Sequence, residues 1–250
     1  MLPPDTAPFV SCEDEQAPVF GLFNFYATVS SVPLLWVPLS SLLTAVCLTD
    51  VKNRAPFIHK ALVVWLLTLT ALFTTNLFQH MVGGHCAILL HELMSSVQGL
   101  WHSCLINALR RKKGWRSISE QSGFTTAAVA TVALAMSASV APGTDADEAA
   151  NKIVQGLTGI FIVGSHGALS WRDMLAWKHF MRSCIGLLLV MVLTGPHGLE
   201  RRLCHLRAAF SYHAIVDHAC IVCLFGGVTK NAVHLVNITV CTHQDGKKTS

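Results

Sequence analysis

The chain has 250 residues, 52% of them apolar and 13% charged, against about a quarter charged in an ordinary soluble domain. That balance, with a positive mean hydropathy, excludes a water-soluble globular protein and points to a polytopic membrane protein. The net charge of +4 is modest and the lysines and arginines fall mainly in short segments between apolar runs, so they read as topology signals and not as a nucleic-acid surface.

Met1 to Gln16 is acidic and proline-bearing, without the basic-then-apolar order of a cleaved signal peptide. A helix needs about 20 apolar residues to cross the hydrocarbon, and about seven stretches qualify. They are Phe25–Leu48, Phe57–Gln79, Cys86–Leu109, Gly123–Ala141, Ile153–Ser170, Trp177–Thr194 and Ala208–Val228. Ala232–Val240 is apolar but too short to span. The expected fold is all-α, a single seven-transmembrane domain over residues 1–250, with an N-terminal segment 1–24 and a tail 229–250.

The connecting segments alternate in charge. Lys52, Arg54 and Lys60, the run Arg110–Arg116, and Arg172, Lys178 and Arg182 belong to one side. The acidic N-terminus, the Gly83–Gly84 turn and the Asp145–Glu148 cluster belong to the other, with Arg201, Arg202 and Arg207 as its exceptions. The positive-inside rule makes the N-terminus lumenal and the C-terminus cytosolic. The final Lys247-Lys-Thr-Ser250 resembles a dilysine retrieval signal, which points to the endoplasmic reticulum membrane or the Golgi.

Polar residues inside apolar runs stand out, because a charge at membrane depth costs a few kcal/mol and marks function by default. His213 and Asp217 are four apart and share a helix face. In the expected topology the second span ends near His80, the third starts back carrying His91, and the last enters from the same side with His213 and Asp217. Asn76, one turn before His80, lies on its face. Three imidazoles and a carboxylate at one depth suit zinc, which takes three protein ligands in a catalytic site and leaves a position for water. His85 is an alternative to His80 or His91. His218, at i+5 from His213, points roughly 140° away from it and is set aside as a co-ligand. The other histidines, among them His102, His166, His179 and His234, are scattered and read as structural. Nine cysteines lack the spacing of a disulfide framework or zinc ribbon, and Cys220 and Cys223 read as core thiols.

Three blocks carry a family resemblance. Cys12-Glu-Asp-Glu15 followed by Phe25-Tyr-Ala-Thr-Val-Ser30, then His80-Met81 followed by Leu89-Leu-His-Glu-Leu93, then His213-Ala-Ile-Val-Asp217 resemble, in order and spacing, the signature blocks of the alkaline ceramidases. These are seven-helix zinc amidases of intracellular membranes in the superfamily that includes the adiponectin receptors. Two exchanges set this chain apart: the family has aspartate at position 91 and histidine at 217, and it has asparagine at 15 and glutamate at 24. The inventory of an ion site is kept in both cases.

The resemblance implies hydrolysis of the ceramide amide to a sphingoid base and a fatty acid. It assigns zinc to His80, His213 and Asp217, a general-base role to His91, and oxyanion stabilisation to Asn76. The alternative is zinc on His80, His91 and His213 with Asp217 as base. It also implies a calcium site on Glu13, Glu15, Asn24 and the Ser11 carbonyl, completed by water. Two other classes stay open: a receptor or interaction protein on the same scaffold, and a ceramidase-like protein that keeps a structural metal without catalysis. Cys12 and Cys204 both fall on the expected lumenal side, where oxidation permits a disulfide between them.

Overall fold

The computed structural model describes residues 19–22, 24–83, 85–114, 160, 163–193 and 218–241. Apart from an isolated bridge between Val19 and Leu22, all regular structure among these residues is helical. The named helices are α1 (Phe25–Val46), α2 (Thr49–Arg54), α3 (Pro56–Val82), α4 (His85–Lys112), α5 (Met174–Leu193) and α6 (His218–Cys241). Residues 163–170 form a further helical segment leading into α5.

α3 is the central helix, in contact with α1, α4 and α6. Pro56 starts it, where the missing N–H costs nothing. Gly83 ends it with φ +66°, donating its N–H to the Gln79 carbonyl. Between them Leu62, Trp65, Leu66, Leu69, Leu72 and Phe73 recur at helical spacing and are buried. The threonines that interrupt this apolar sequence turn their hydroxyls back on the helix: Thr68 to the Trp65 carbonyl, Thr70 to Leu66, Thr74 to Thr70 and Thr75 to Leu72. That local bonding satisfies a hydroxyl where water is absent.

Among the described residues four helices are long and apolar enough to cross a membrane: α1, α3, the stretch Met174–Val192 of α5, and α6. The chain is therefore a multi-pass, helical membrane protein. α4 has the length, but His91, Glu92, Gln98, His102 and Asn107 dilute its apolar content, and it is not among the four. The expected span 123–141 and half of 153–170 lie outside the described residues.

One expected boundary is corrected. The last helix does not stop at Val228; α6 runs unbroken to Cys241, so residues 229–241 are not a loose tail. Lys230 and Asn231 interrupt the apolar pattern, but Lys230 is exposed and Asn231 is buried with its amide on Ser170 Oγ at 2.9 Å. The helix continues through them, and Ala232, Leu235, Val236 and Val240 rejoin the core.

α5 and α6 run antiparallel. Asp173 just before α5 meets His234 of α6, with carboxylate oxygen and ring nitrogen 2.8 Å apart. Two turns on, Gly227 lies against Ser183 and the His179 carbonyl, and then Gly186 lies against the backbone of Leu224. Helices this close tolerate no Cβ at the crossing, which is the packing use of small residues in membranes.

Candidate functional site

A buried polar cluster lies where the N-terminal end of α1, the C-terminal end of α3 and the start of α6 meet. His80, in the last turn of α3, is 4% exposed, and its ring meets that of His218, the first described residue of α6, with centroids 5.4 Å apart and planes at 66°. Asn24 caps the arrangement: its backbone N–H donates to the His80 carbonyl at 2.9 Å, while its own carbonyl accepts the Thr28 hydroxyl at 2.6 Å.

Two serines of α1 complete the cluster beside His218. Ser30 Oγ lies 3.1 Å from the Ala27 carbonyl oxygen and shares a hydrogen bond of 2.7 Å with Nδ1 of His218. The Ser31 hydroxyl also donates to Ala27 (2.7 Å) and accepts from the Asn76 amide (3.2 Å). Ser31 Oγ also lies 3.5 Å from Nε2 of His218. Both ring nitrogens of His218 therefore face serine oxygens of α1, which orient the ring in the way a second hydrogen bond orients a histidine that ligates a metal or takes up a proton.

The fate of each expected site residue can be stated in turn. His80 and Asn76 are both in the cluster, as their common face requires. Asn24, expected as a calcium ligand, is at its edge; Ser11, Glu13 and Glu15, the other expected calcium ligands, lie outside the described residues. So do His213 and Asp217, and so do Cys12 and Cys204. Every cysteine in the described part of the chain is a free thiol, Cys220 and Cys223 included. His91 is placed on α4 against the backbone of Leu72, eight residues before His80 and so about 12 Å lower along α3. The side chain of His85 is not described.

His218 is the residue that helix geometry alone sets aside. The i+5 offset fixes its direction relative to His213 but says nothing about which of the two faces α1 and α3. No local signal singles it out, because hydroxyls such as those of Ser30 and Ser31 can be satisfied by the carbonyl of Ala27 in their own helix.

Among the described residues no three His, Cys, Asp or Glu side chains are gathered closely enough to hold a metal. His80 and His218 supply two imidazoles. A Zn–N bond of about 2.0 Å places two rings sharing one tetrahedral ion roughly 5 Å apart, centroid to centroid, so their spacing fits a common metal.

A second polar cluster occupies the core between α4 and residues 163–170. His102 and His166 share a hydrogen bond of 2.8 Å between their Nε2 atoms and stack at 5.0 Å; both are buried. Trp65 lies over His102 and donates to the Gln98 amide oxygen. Sequence spacing does not pair residues 64 apart, and these two were expected only as scattered structural histidines.

Comparisons of the chain with protein-family models, with curated proteins and with solved structures return no match.

Proposed function

We propose that the protein is a zinc-dependent intramembrane amidase that hydrolyses ceramide to a sphingoid base and a fatty acid, in the endoplasmic reticulum or Golgi membrane, on a seven-helix scaffold with a lumenal N-terminus. The observation that carries this reading is the meeting of blocks distant in sequence. Ser30 belongs to the first block that resembles the alkaline ceramidases, His80 to the second, and His218 directly follows the third; they touch in one buried cluster.

In this reading His80, His213 and Asp217 hold zinc, which when bound supplies a nucleophilic water near neutral pH and polarises the amide carbonyl. The chain's own groups do the rest. His218, oriented by Ser30 at Nδ1, takes up the proton of the attacking water and later returns it to the leaving amine. Its place beside His80 favours it over His91, which sits against Leu72. Asn76 is held by Ser31 through one amide hydrogen, and its second hydrogen is directed to the oxyanion that develops on the carbonyl. Asn24 ties α1 to the His80 backbone, so a calcium ion on Glu13, Glu15, Asn24 and the Ser11 carbonyl would brace the same ligand.

Metal content of the purified protein tests the ligand assignment. His80→Ala and Asp217→Asn are expected to lose zinc, while His218→Ala and His91→Ala keep it. Full zinc in Asp217→Asn together with loss of activity would move Asp217 to the base role. Loss of zinc in His218→Ala would make His218 a ligand.

A further inference from the structure

The seam between α5 and α6 carries three cations that lie outside the amidase cluster. Lys178 and Arg182 lie four apart on one face of α5, and Lys230 is on the facing part of α6; all three are exposed. Lys230, Arg182 and Lys178 act together on His179, and His234 adds to the same field. The Arg182 guanidinium rests over Gly226, where the absence of a side chain leaves room: a Cβ there would meet it at 3.6 Å.

Three features make this more than a solvated charge run. First, neither α5 nor α6 contains an aspartate or glutamate. The nearby Asp173 is already engaged by the Ala176 N–H and by His234. Second, like charges at i and i+4 repel each other, and among the described residues none of the three cations forms an ion pair or hydrogen bond through its charged end. Third, the cations lie inside candidate spans. Arg182 is eight residues into α5, about 12 Å from its start, and Lys230 is in the middle of α6. Lys178 and Arg182, expected from sequence as connecting-segment charges, lie within α5, and cations inside spans call for a counter-charge.

The same face of α5 continues as Met181, Ile185 and Leu188, all exposed and apolar, at i+3, i+7 and i+10 from Lys178. Cationic at one end and apolar along the next turns, it has the polarity of an amphiphile with an anionic head. We propose that the α5/α6 seam binds an anionic phospholipid, its phosphate held by Lys178, Arg182 and Lys230 and its acyl chain laid along Met181, Ile185 and Leu188. Basic pockets between transmembrane helices recognise anionic headgroups in this way. The proposal stands on residues distinct from the zinc cluster and does not depend on it.

The test uses the full-length protein purified in detergent, titrated separately with short-chain phosphatidic acid, short-chain phosphatidylcholine and inorganic phosphate. Binding is read by native mass spectrometry and by thermal unfolding. Phosphatidic acid is expected to bind and to raise the unfolding midpoint, with phosphatidylcholine and inorganic phosphate far weaker. At about fivefold per cation, Lys178→Gln, Arg182→Gln and Lys230→Gln combined weaken phosphatidic acid binding roughly a hundredfold; Lys52→Gln with Lys60→Gln leaves it unchanged. If the triple variant does not fold, each single variant is expected to show the fivefold loss. Unchanged binding in the triple variant, or in all three singles, overturns the proposal. So does equal binding of phosphatidylcholine, and inorganic phosphate binding as tightly as the lipid would leave an ion site without lipid recognition.

Discussion

At the scale of single residues, the hydroxyls of α1 orient His218. Ser30 and Ser31 each reach the Ala27 carbonyl and one ring nitrogen of His218. If Nε2 takes the proton of the attacking water, His218→Ala lowers kcat by about 10²–10⁴, with zinc content intact. Asn76→Ala, which would remove the proposed oxyanion donor, is expected to lower kcat by about 10²–10³. Steady-state kinetics on ceramide with parallel metal analysis checks both; a KM effect without a kcat effect contradicts the assigned roles. Asp173 offers a test independent of catalysis. The Ala176 N–H holds its carboxyl below the ordinary 3.8; partial burial opposes this, and His234 adds to the lowering. A carboxyl depressed in the folded state stabilises above its ordinary value and loses that contribution as pH falls through the folded one. Asp173→Ala, which also removes the cap of α5, is expected to destabilise by about 1 kcal/mol at neutral pH. The difference in unfolding midpoint from wild type should shrink as pH falls below 3.8.

At the scale of the helix pair, α5 and α6 are joined by contacts that exclude a side chain. A Cβ at Gly186 would enter the backbone of Leu224 and Cys223, and one at Gly227 would enter the His179 carbonyl and the Ser183 backbone. Backbone cannot move aside as a rotamer can, so Gly186→Ala and Gly227→Ala should each destabilise by about 1–3 kcal/mol. At Gly226, next in the chain, a Cβ meets only the flexible end of Arg182 at 3.6 Å. Gly226→Ala should leave the thermal midpoint within a degree or so, and a drop like that of its neighbour would contradict this packing. Thermal unfolding of the three variants side by side separates the cases.

For the whole molecule, sequence reasoning finds the helices well and their mutual orientation poorly. The limits of α1, α3, α4 and α5 fall within a few residues of expectation, because runs of apolar residues bounded by Pro56, Gly83 and Arg110 leave little choice. The end of α6 escapes, since the pairing of Asn231 with Ser170 that carries the helix past Val228 is a contact between distant segments. The candidate site divides in the same way. His80 and Asn76 share a face by helix period alone and are found together. His218 and the two serines meet only through the packing of α1 on α6, which no local pattern encodes. The His102–His166 pair is invisible in sequence for the same reason.

The chemistry of the α1–α3–α6 cluster is most directly tested by amide release. The purified wild-type protein is given a panel of labelled ceramides of differing chain length, with and without a zinc chelator, beside His80→Ala. Release of labelled fatty acid from at least one ceramide, abolished by the chelator, restored by added zinc and absent in His80→Ala, is the expected result. No chelator-sensitive release from any chain length by a folded, zinc-loaded protein would contradict it.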